Sequence, residues 1–274
     1  MNNYKKTNSY ASFSKSEYLS MKHQNYFAIY DELLTKYIGT DITFVEVGIL
    51  NGGSLFMWRD FFGPKARIIG IDFNPNARKW EKDGFEIHIG DQSDVDFWQN
   101  FFLKTGNIDV LLDDGGHTNE QQIVTTQQSL PFINDGGTII IEDVHASYQH
   151  EFGNPSKFSF ANYSQSLAHN IQYRFPALPN ANKVEPNKSV HSVSFYESIV
   201  AFRVERGLAI DNLPETNDGI SENAEDFRNY ASSVYRIKQL LEATGVRKFF
   251  PRRIEMLLRY IYLIPSNRRL KKYW

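Results

Sequence analysis

The sequence predicts an α/β fold built on a Rossmann-like, doubly wound and mostly parallel sheet. Five short apolar runs alternate with segments of helical periodicity between residues 43 and 141, a pattern typical of sheets covered by helices on both faces. Acidic residues lie at or just after the end of each run. Because right-handed crossovers bring these ends to one edge of the sheet, that edge is predicted to bind a ligand.

The elements are predicted in chain order from hydrophobic periodicity. The strands of the parallel sheet are predicted at 43–47, 67–71, 85–89, 108–112 and 138–141. Helices are predicted at 18–37, 54–62, 75–82, 95–103, 119–132, 158–171 and 222–243. Two later strands, at 190–196 and 199–205, are predicted to form an antiparallel pair that closes the sheet. Residues 1–20 and 176–187 are predicted to be irregular.

Three regions follow from this pattern: an N-terminal helical segment at 1–40, a main α/β domain at 41–206, and a linker with a basic helical appendage at 207–274. Residues 247–274 hold nine Lys or Arg and one acid, Glu255. Two interpretations of this basic stretch stay open. It packs on the main domain or on a second copy of the chain, or it contacts an anionic membrane surface.

Composition excludes several classes of protein. The chain has no cysteine, so disulfides, thiolate zinc sites and cysteine nucleophiles are ruled out. No apolar run approaches the roughly 20 residues that cross a bilayer, and the N-terminus lacks the pattern of a signal peptide. We therefore expect a cytoplasmic protein, with residues 247–274 able to contact the inner face of the membrane. Outside that stretch the chain has 21 basic and 31 acidic residues, which argues against a nucleic-acid partner.

The first predicted strand ends in a glycine-containing turn that runs from Glu46 to Ser54. Its glycines, Gly48 and Gly52, let the backbone turn tightly and approach a ligand closely. Asp72 follows the second strand, 20 residues after Gly52, where a carboxylate can accept the hydroxyls of a ribose. The third strand leads to Asp91 and Gln92, beside the expected place of an adenine. The sequence therefore predicts a nucleotide-type cofactor at this edge.

Carboxylates also follow the fourth and fifth strands, in the sequences Asp113-Asp114-Gly115-Gly116-His117 and Glu142-Asp143. Crowded carboxylates repel one another, and a hard divalent cation relieves that repulsion, Mg²⁺ before Ca²⁺ or Mn²⁺. Such an ion activates a hydroxyl, and a neutral His117 then takes its proton. One of the adjacent pair Asp113 and Asp114 has a second interpretation, as a helix cap. Glu142 and Asp143 can both bind the ion only if the strand has already ended.

These motifs resemble those of class I S-adenosylmethionine-dependent methyltransferases, over about residues 22–148. The Asp-Asp-Gly-Gly-His and Ile-Ile-Glu-Asp sequences are similar to those of the metal-dependent sugar O-methyltransferases, whose relatives carry names such as rhamnosyl O-methyltransferase or cephalosporin hydroxylase. The resemblance implies roles for three sets of residues. The cofactor set is Lys22, Tyr26, Glu46, Gly48, Gly52, Ser54, Asp72, Asp91, Gln92 and Asp113; the metal set is Asp114, Glu142 and Asp143; the general base is His117.

Within the cofactor set, the resemblance implies that Gly48 and Gly52 line the methionine part, and that Lys22 and Tyr26 lie on a segment that closes over the cofactor. It implies an O-methyltransferase acting on a sugar hydroxyl of a polysaccharide, O-antigen or natural-product glycoside. A homo-oligomer is a separate expectation that does not follow from the resemblance. Three alternatives remain: a hydroxylase-type enzyme, a nicotinamide-dependent oxidoreductase and a non-catalytic cofactor-binding protein. The sequence lacks an evident pair of histidine ligands for iron at the acidic edge, and it lacks the G-x-G-x-x-G motif of dinucleotide-binding proteins.

Overall fold

The computed structural model describes residues 3–152, 156–172, 174, 186–209, 213–220, 239, 243, 268 and 270–273. Within these residues the chain forms a seven-stranded sheet in the order β3-β2-β1-β4-β5-β7-β6. Its strands are β1 (Thr43–Val47), β2 (Arg67–Asp72), β3 (Glu86–Ile89), β4 (Ile108–Asp113), β5 (Ile133–Ile141), β6 (Val190–Phe195) and β7 (Val200–Val204). β1 to β5 are parallel, and β7 runs antiparallel to β5 and β6. The predicted fold class and closing strand pair are confirmed.

Helices cover both faces of this sheet. They are α1 (Asn8–Lys15), α2 (Tyr26–Leu34), α3 (Gly53–Phe62), α4 (Val95–Thr105), α5 (Asn119–Ser129), α6 (Phe160–Gln172) and the short α7 (Pro186–Ser189). Turns of 3-10 helix lie at Asn3–Lys6, Thr35–Tyr37, Pro75–Asp83, Leu130–Phe132, Val144–Tyr148 and His150–Phe152. No helix among the described residues is long and apolar enough to cross a membrane.

Two apolar layers hold the helices to the sheet, because neighbouring strand residues point to opposite faces. In β4, Val110 and Leu112 pack with α2 and α3, whereas Leu111 packs on the other face with α4 and α6. Trp58 of α3 and Trp98 of α4 are fully buried, one in each layer. Because both faces of the sheet are buried, its parallel strands need nearly continuous runs of apolar residues, as the sequence shows.

The N-terminal region differs from the prediction. Residues 8–15, predicted to be irregular, form α1, while the predicted helix at 18–37 begins only at Tyr26. Thr7 caps α1 by accepting a hydrogen bond from the Tyr10 amide, and the rings of Tyr10 and Phe13 pack on Phe27. These contacts come from the tertiary structure, which routinely overrides weak local propensity. Residues 17–25, the covering segment, are non-helical.

β5 begins at Ile133, five residues earlier than predicted. The sequence Asn134-Asp135-Gly136-Gly137 resembles a turn, yet the strand continues through it. The register between β4 and β5 shifts between Ile108 and Val110, so an irregularity accommodates these residues. The end of the strand, which positions the site, is unaffected.

The chain divides into two compact units, Met1–Pro214 and Glu215–Trp274. The second unit is described only at 215–220, 239, 243, 268 and 270–273, where Lys271–Tyr273 form a 3-10 turn. The predicted helix at 222–243 and the basic stretch from 247 lie almost entirely outside the described residues. The three regions predicted from sequence, 1–40, 41–206 and 207–274, stay a prediction.

Candidate active site

A cavity of about 660 Å³ lies over the carboxyl ends of the parallel strands. The strand order changes direction between β1 and β4, and ligands of open α/β sheets bind at such a point. The covering segment contributes residues from Leu19 to His23 to the cavity wall. We call the part near Gly48, Gly52, Asp72 and Asp91 the cofactor end. The catalytic end is the part near Lys22, Asp114, His117, Glu142 and Asp143.

Glycine is required at both positions of the β1–α3 turn that the sequence singled out. Gly48 and Gly52 have φ values of 81° and 78°, in the region that side chains other than glycine rarely adopt. A side chain at Gly48 would collide with the backbone carbonyl of Asp114, and one at Gly52 would collide with the indole of Trp80. The turn can therefore pass directly under a ligand.

Asp72 organises the same turn. Its Oδ2 accepts hydrogen bonds from the amides of Ile49 at 3.0 Å and Leu50 at 3.2 Å, and its Oδ1 accepts one from Asn74 at 2.8 Å. The carboxylate is half-buried and lines the cavity. It is thus held rigidly with a face open to a ligand hydroxyl.

Asp91 and Gln92 also line the cavity, but Gln92 is committed to other partners. Its amide nitrogen donates to both oxygens of Asp113 at 2.9 and 3.0 Å, and its Oε1 accepts from the Gly116 amide at 2.8 Å. Asp113 is fully buried beneath the cavity, where burial raises the pKa of its carboxyl. Asp113 therefore does not line the part of the cavity predicted to hold the cofactor. Its carboxylate instead accepts hydrogen bonds from Gln92 and the Gly115 amide.

Glu46 also lies beneath the cavity instead of in its wall. It is fully buried and accepts hydrogen bonds from Ser54 Oγ at 2.7 Å and Trp58 Nε1 at 3.1 Å. Burial raises the pKa of Glu46 to about 7, although Lys22 opposes the shift. Ser54 does line the cavity, but its hydroxyl is turned to Glu46. Glu46 thus anchors α3 to β1 from beneath the cavity, and its role in cofactor binding stays a prediction.

Lys22 lies among the carboxylates of the catalytic end. Its Nζ is 2.7 Å from Asp114 Oδ2, 3.1 Å from Glu142 Oε2 and 3.7 Å from Glu46 Oε1, and its side chain is 1% exposed. Burial alone lowers the pKa of an amine, but the three carboxylates outweigh it and raise the pKa of the Lys22 ammonium. The ammonium is thus a built-in counter-ion, a role that sequence reasoning, which placed Lys22 over the cofactor, did not predict.

Glu142 follows the end of β5 and is almost fully buried. It accepts a hydrogen bond from the hydroxyl of Tyr30 at 2.5 Å and two from Lys22 Nζ at 3.1 and 3.2 Å. Burial raises the pKa of Glu142 well above its usual range, and the Lys22 charge opposes that shift. Tyr30 was not predicted as a site residue, because its position in an amphipathic helix is also that of an ordinary core residue.

Asp114, His117 and Asp143 converge, with one ligand atom of each within 4.8 Å of the others. His117 Nε2 lies 3.4 Å from Asp143 Oδ2 and 3.9 Å from Asp114 Oδ1. His117 and Asp143 have φ values of 59° and 54°, a left-handed conformation that is uncommon outside glycine and clusters at functional sites. Because β5 ends at Ile141, the alternation of a strand no longer forces Glu142 and Asp143 to opposite faces.

The donor set at the catalytic end suits a hard divalent cation. Asp114 and Asp143 offer charged oxygen atoms beside each other, as Mg²⁺ and Mn²⁺ prefer. His117 Nδ1 is buried without a hydrogen-bond partner among the described residues, so Nε2 is the ring nitrogen that faces the carboxylates. Glu142 lines the same cavity, but its oxygens are engaged by Lys22 and Tyr30.

Tyr26, predicted on the covering side of the cofactor, supports the catalytic end as well. Its hydroxyl donates to Asp143 Oδ1 at 2.5 Å and accepts from the Asp143 amide at 3.2 Å. Burial and that hydrogen bond raise the pKa of Tyr26. Tyr26 therefore fixes the carboxylate of Asp143 while still lining the cavity.

Two histidines beside Asp143 were missed. His145, to which the sequence analysis assigned no role, lies with His23 and Asp143 in a second group whose ligand atoms are within 4.8 Å of one another. The expectation that no pair of histidines accompanies the acidic edge was wrong. The sequence held no signal for it, because His23 and His145 are 122 residues apart and meet only through the tertiary fold.

The sheet order and the cavity at its switch point define a class I methyltransferase fold. Residues 45–144 match the family model described as "Methyltransferase domain". The stretch from β1 to β5 is therefore similar to methyltransferase domains. The described fold is similar to that of MycE methyltransferase from the mycinamycin biosynthetic pathway, solved with Mg and SAH, at a TM-score of 0.64 and 24% identity over 73% of this chain and 54% of MycE.

Curated relatives have related names. Mycinamicin VI 2''-O-methyltransferase of Micromonospora griseorubida is 30% identical over 193 residues, covering 65% of this chain and 47% of the relative. Demethylmacrocin O-methyltransferase of Streptomyces fradiae is 30% identical over 134 residues, 46% of this chain and 33% of the relative. A third, 8-demethyl-8-(2-methoxy-alpha-L-rhamnosyl)-tetracenomycin-C 3'-O-methyltransferase of Streptomyces olivaceus, is 36% identical over 104 residues, 37% of this chain and 26% of the relative. The chain thus spans half or less of the length of these relatives.

Proposed function

We propose that this chain is an S-adenosylmethionine-dependent and divalent-metal-dependent O-methyltransferase acting on a sugar hydroxyl. The observation that carries the proposal is the convergence of Asp114, His117 and Asp143 at one end of a cavity whose other end holds Asp72. A volume of about 660 Å³ is in the range of small-molecule sites. The names of the relatives, which act on glycosylated natural products, support the acceptor class.

The cofactor end is suited to the methyl donor, S-adenosylmethionine. Asp72 is fixed by three backbone amides and presents its half-buried carboxylate to the cavity, where it would accept hydrogen bonds from ribose hydroxyls. The turn at Gly48 and Gly52 would lie against the methionine part. Asp91 and Gln92 would flank the adenine, Gln92 through its backbone and apolar edge, since its amide is already paired.

Asp114 and Asp143 would hold the cation, and Glu142 would join them on releasing Lys22. When bound there, a hard divalent cation lowers the pKa of a hydroxyl and stabilises the alkoxide that forms. Nε2 of His117 would accept the proton from the acceptor hydroxyl, because it is the ring nitrogen directed at that space. Tyr26 and Tyr30 would keep the carboxylates in place, and the covering segment would exclude water.

The acceptor molecule and the cellular location of the enzyme are further parts of the proposed function. A polysaccharide, an O-antigen precursor or a natural-product glycoside would each present a sugar hydroxyl, and we infer a cytoplasmic enzyme. A homo-oligomer stays an expectation. Contact of residues 247–274 with the inner membrane face also stays an expectation; equal flotation with anionic liposomes by the full chain and by a chain ending at residue 246 would remove it.

Two measurements test the proposed function. Calorimetry should show binding of S-adenosylhomocysteine and none of NAD; the reverse result would favour a nicotinamide-dependent enzyme. The full chain, S-adenosylmethionine, Mg²⁺ and a panel of glycosides should then give products heavier by one methylene in a mass spectrum. Loss of this transfer on chelation and its return with Mg²⁺ would support the metal requirement. Transfer that continues in excess chelator would contradict it.

A further inference from the structure

Asp143 is shared by two groups of potential metal ligands. Its Oδ2 faces His117, as described above, whereas its Oδ1 lies 3.7 Å from His23 Nε2 and 4.0 Å from His145 Nδ1. The second group therefore offers two imidazoles and one carboxylate oxygen within 4.8 Å of one another. Neither the methyl transfer proposed above nor the family comparisons assign a role to His23 and His145 as a pair.

Hydrogen bonds from the two histidines to Asp143 do not explain this arrangement. N–H···O hydrogen bonds span about 2.7–3.2 Å, and both histidine nitrogens are farther than that from Asp143 Oδ1. Two ligands about 2.1 Å from a tetrahedral ion are instead about 3.4 Å apart. The observed separations of 3.7 and 4.0 Å are slightly wider than that spacing, and small side-chain movements would close the difference. The two imidazole rings are 5.7 Å apart and stand at 86° to each other, so they present different edges to the space between them.

Asp143, the turn that carries His145 and the backbone of His23 are held by their surroundings, whereas the His23 side chain is 62% exposed. The Ser198 carbonyl accepts the Val144 amide at 3.0 Å. The Ser198 hydroxyl lies 2.9 Å from His145 Nδ1, and an ion bound by this nitrogen would replace that contact. The Tyr26 hydroxyl fixes Asp143, and the Tyr26 amide donates to the His23 carbonyl at 3.1 Å. A partner that fixes a ligating carboxylate, as the Tyr26 hydroxyl does for Asp143, is a regular part of metal sites. The fold thus orients Asp143 and brings both histidines beside it.

We propose that His23, Asp143 and His145 form a second metal site, specific for a first-row transition ion such as Zn²⁺. Imidazole nitrogens favour such ions, whereas the oxygen donors on the Asp114 side favour Mg²⁺. The carboxylate of Asp143 bridges the two sites. His23 lies on the covering segment and His145 on the turn after β5, so the ion fastens the covering segment across the mouth of the cavity.

Cobalt(II) is a suitable probe because its visible absorption reports imidazole coordination. The full, tag-free chain is stripped with a chelator and titrated with Co²⁺ in excess Mg²⁺, which occupies the Asp114 side. One Co²⁺ per chain should bind even in the presence of this excess of Mg²⁺. His145→Ala and His23→Ala should each weaken its binding by at least about tenfold, because each removes one of the three ligands. The matched control is His191→Ala, a half-buried histidine on β6, which should leave the titration unchanged.

Anomalous scattering from a crystal containing Zn²⁺ and Mg²⁺ provides a readout that needs no variant. A zinc peak between His23 and His145 is expected. A peak only between Asp114 and His117, or an unaltered Co²⁺ titration in a folded His145→Ala variant, would overturn the proposal. The outcome is separate from the proposed function, because methyl transfer in Mg²⁺ alone tests the enzyme while cobalt occupancy tests only this site.

Discussion

At the cofactor end of the cavity, Asp72 accepts hydrogen bonds from backbone amides 2 to 23 residues away, all in the turns that follow β1 and β2. At the catalytic end, the carboxylates are held by side chains from the covering segment and α2, 92 to 120 residues earlier in the chain. The first end is built from local turns, whereas the second exists only when the N-terminal segment has docked. We infer that the catalytic end is the more sensitive of the two to mutations outside residues 45–144.

The largest expected effect is on turnover. His117→Ala should lower the rate of methyl transfer by about 10²–10⁴-fold, the range for removal of a general base, while the cofactor end stays intact. Calorimetry should therefore show unchanged affinity for S-adenosylhomocysteine. A variant with near-normal turnover would remove His117 from the chemistry, and a variant that no longer binds the cofactor would contradict the separation of the two ends.

Lys22→Met tests the built-in counter-ion. Removing the ammonium leaves Glu46, Asp114 and Glu142 crowded without compensation, and loss of one partner from a buried ion pair costs about 3–5 kcal/mol of unfolding free energy. Urea unfolding in a chelator should show this loss, and Mg²⁺ should recover more stability in the variant than in the wild type. The control is Lys15→Met, which removes an exposed ion pair with Asp60 and should cost about 1 kcal/mol or less. Equal stability of both variants would argue against the role of Lys22.

Tyr30→Phe removes one hydrogen bond from the buried Glu142 carboxyl. A hydrogen bond to a charged group contributes about 1.5–3 kcal/mol, so the same unfolding measurement should show a loss of that size. Tyr37→Phe serves as the comparison, because the Tyr37 hydroxyl donates to a neutral carbonyl, that of Gly136, and should cost about 1 kcal/mol. If Tyr37→Phe proved the more damaging variant, Tyr30 would not be a support of the site.

The smallest effect is expected at the cofactor end. Asp72→Asn keeps one acceptor oxygen and much of the turn, so affinity for S-adenosylhomocysteine should fall by roughly tenfold, or about 1.4 kcal/mol. Asp96→Asn, at an exposed position on α4, should bind normally. An Asp72→Asn variant with wild-type affinity would place the ribose elsewhere.

The contrast between the two ends also explains what could be predicted from the sequence. Apolar runs closed by acids predicted β1 to β5 and their shared edge, because a parallel sheet buried on both faces leaves little choice of residues. The pairing of Asp113 with Ile141 across β4 and β5 then brings Asp114 and Glu142 together, as predicted. Asp72 and the glycine turn could also be predicted, because their contacts are local.

The remaining features depend on contacts that no local pattern encodes. α1 is stabilised by Phe27 and its own cap, and its polar composition therefore predicted an irregular segment. Lys22 reaches the carboxylates from the non-helical covering segment, and His145 lies 4.0 Å from Asp143, a residue with a positive φ. The sequence also could not predict which of the acids at the strand ends are buried. Glu46 and Asp113 lie beneath the cavity, whereas Asp72 and Asp114 line it.

The most direct test of the account is a crystal structure of the chain grown with Mg²⁺ and S-adenosylhomocysteine. We predict a metal ion bound by Asp114 and Asp143, with His117 Nε2 facing the space beside it and the ribose on Asp72. A structure in which the Lys22 ammonium remains the sole cation beside these carboxylates, with S-adenosylhomocysteine bound in the cavity, would contradict a metal-dependent mechanism.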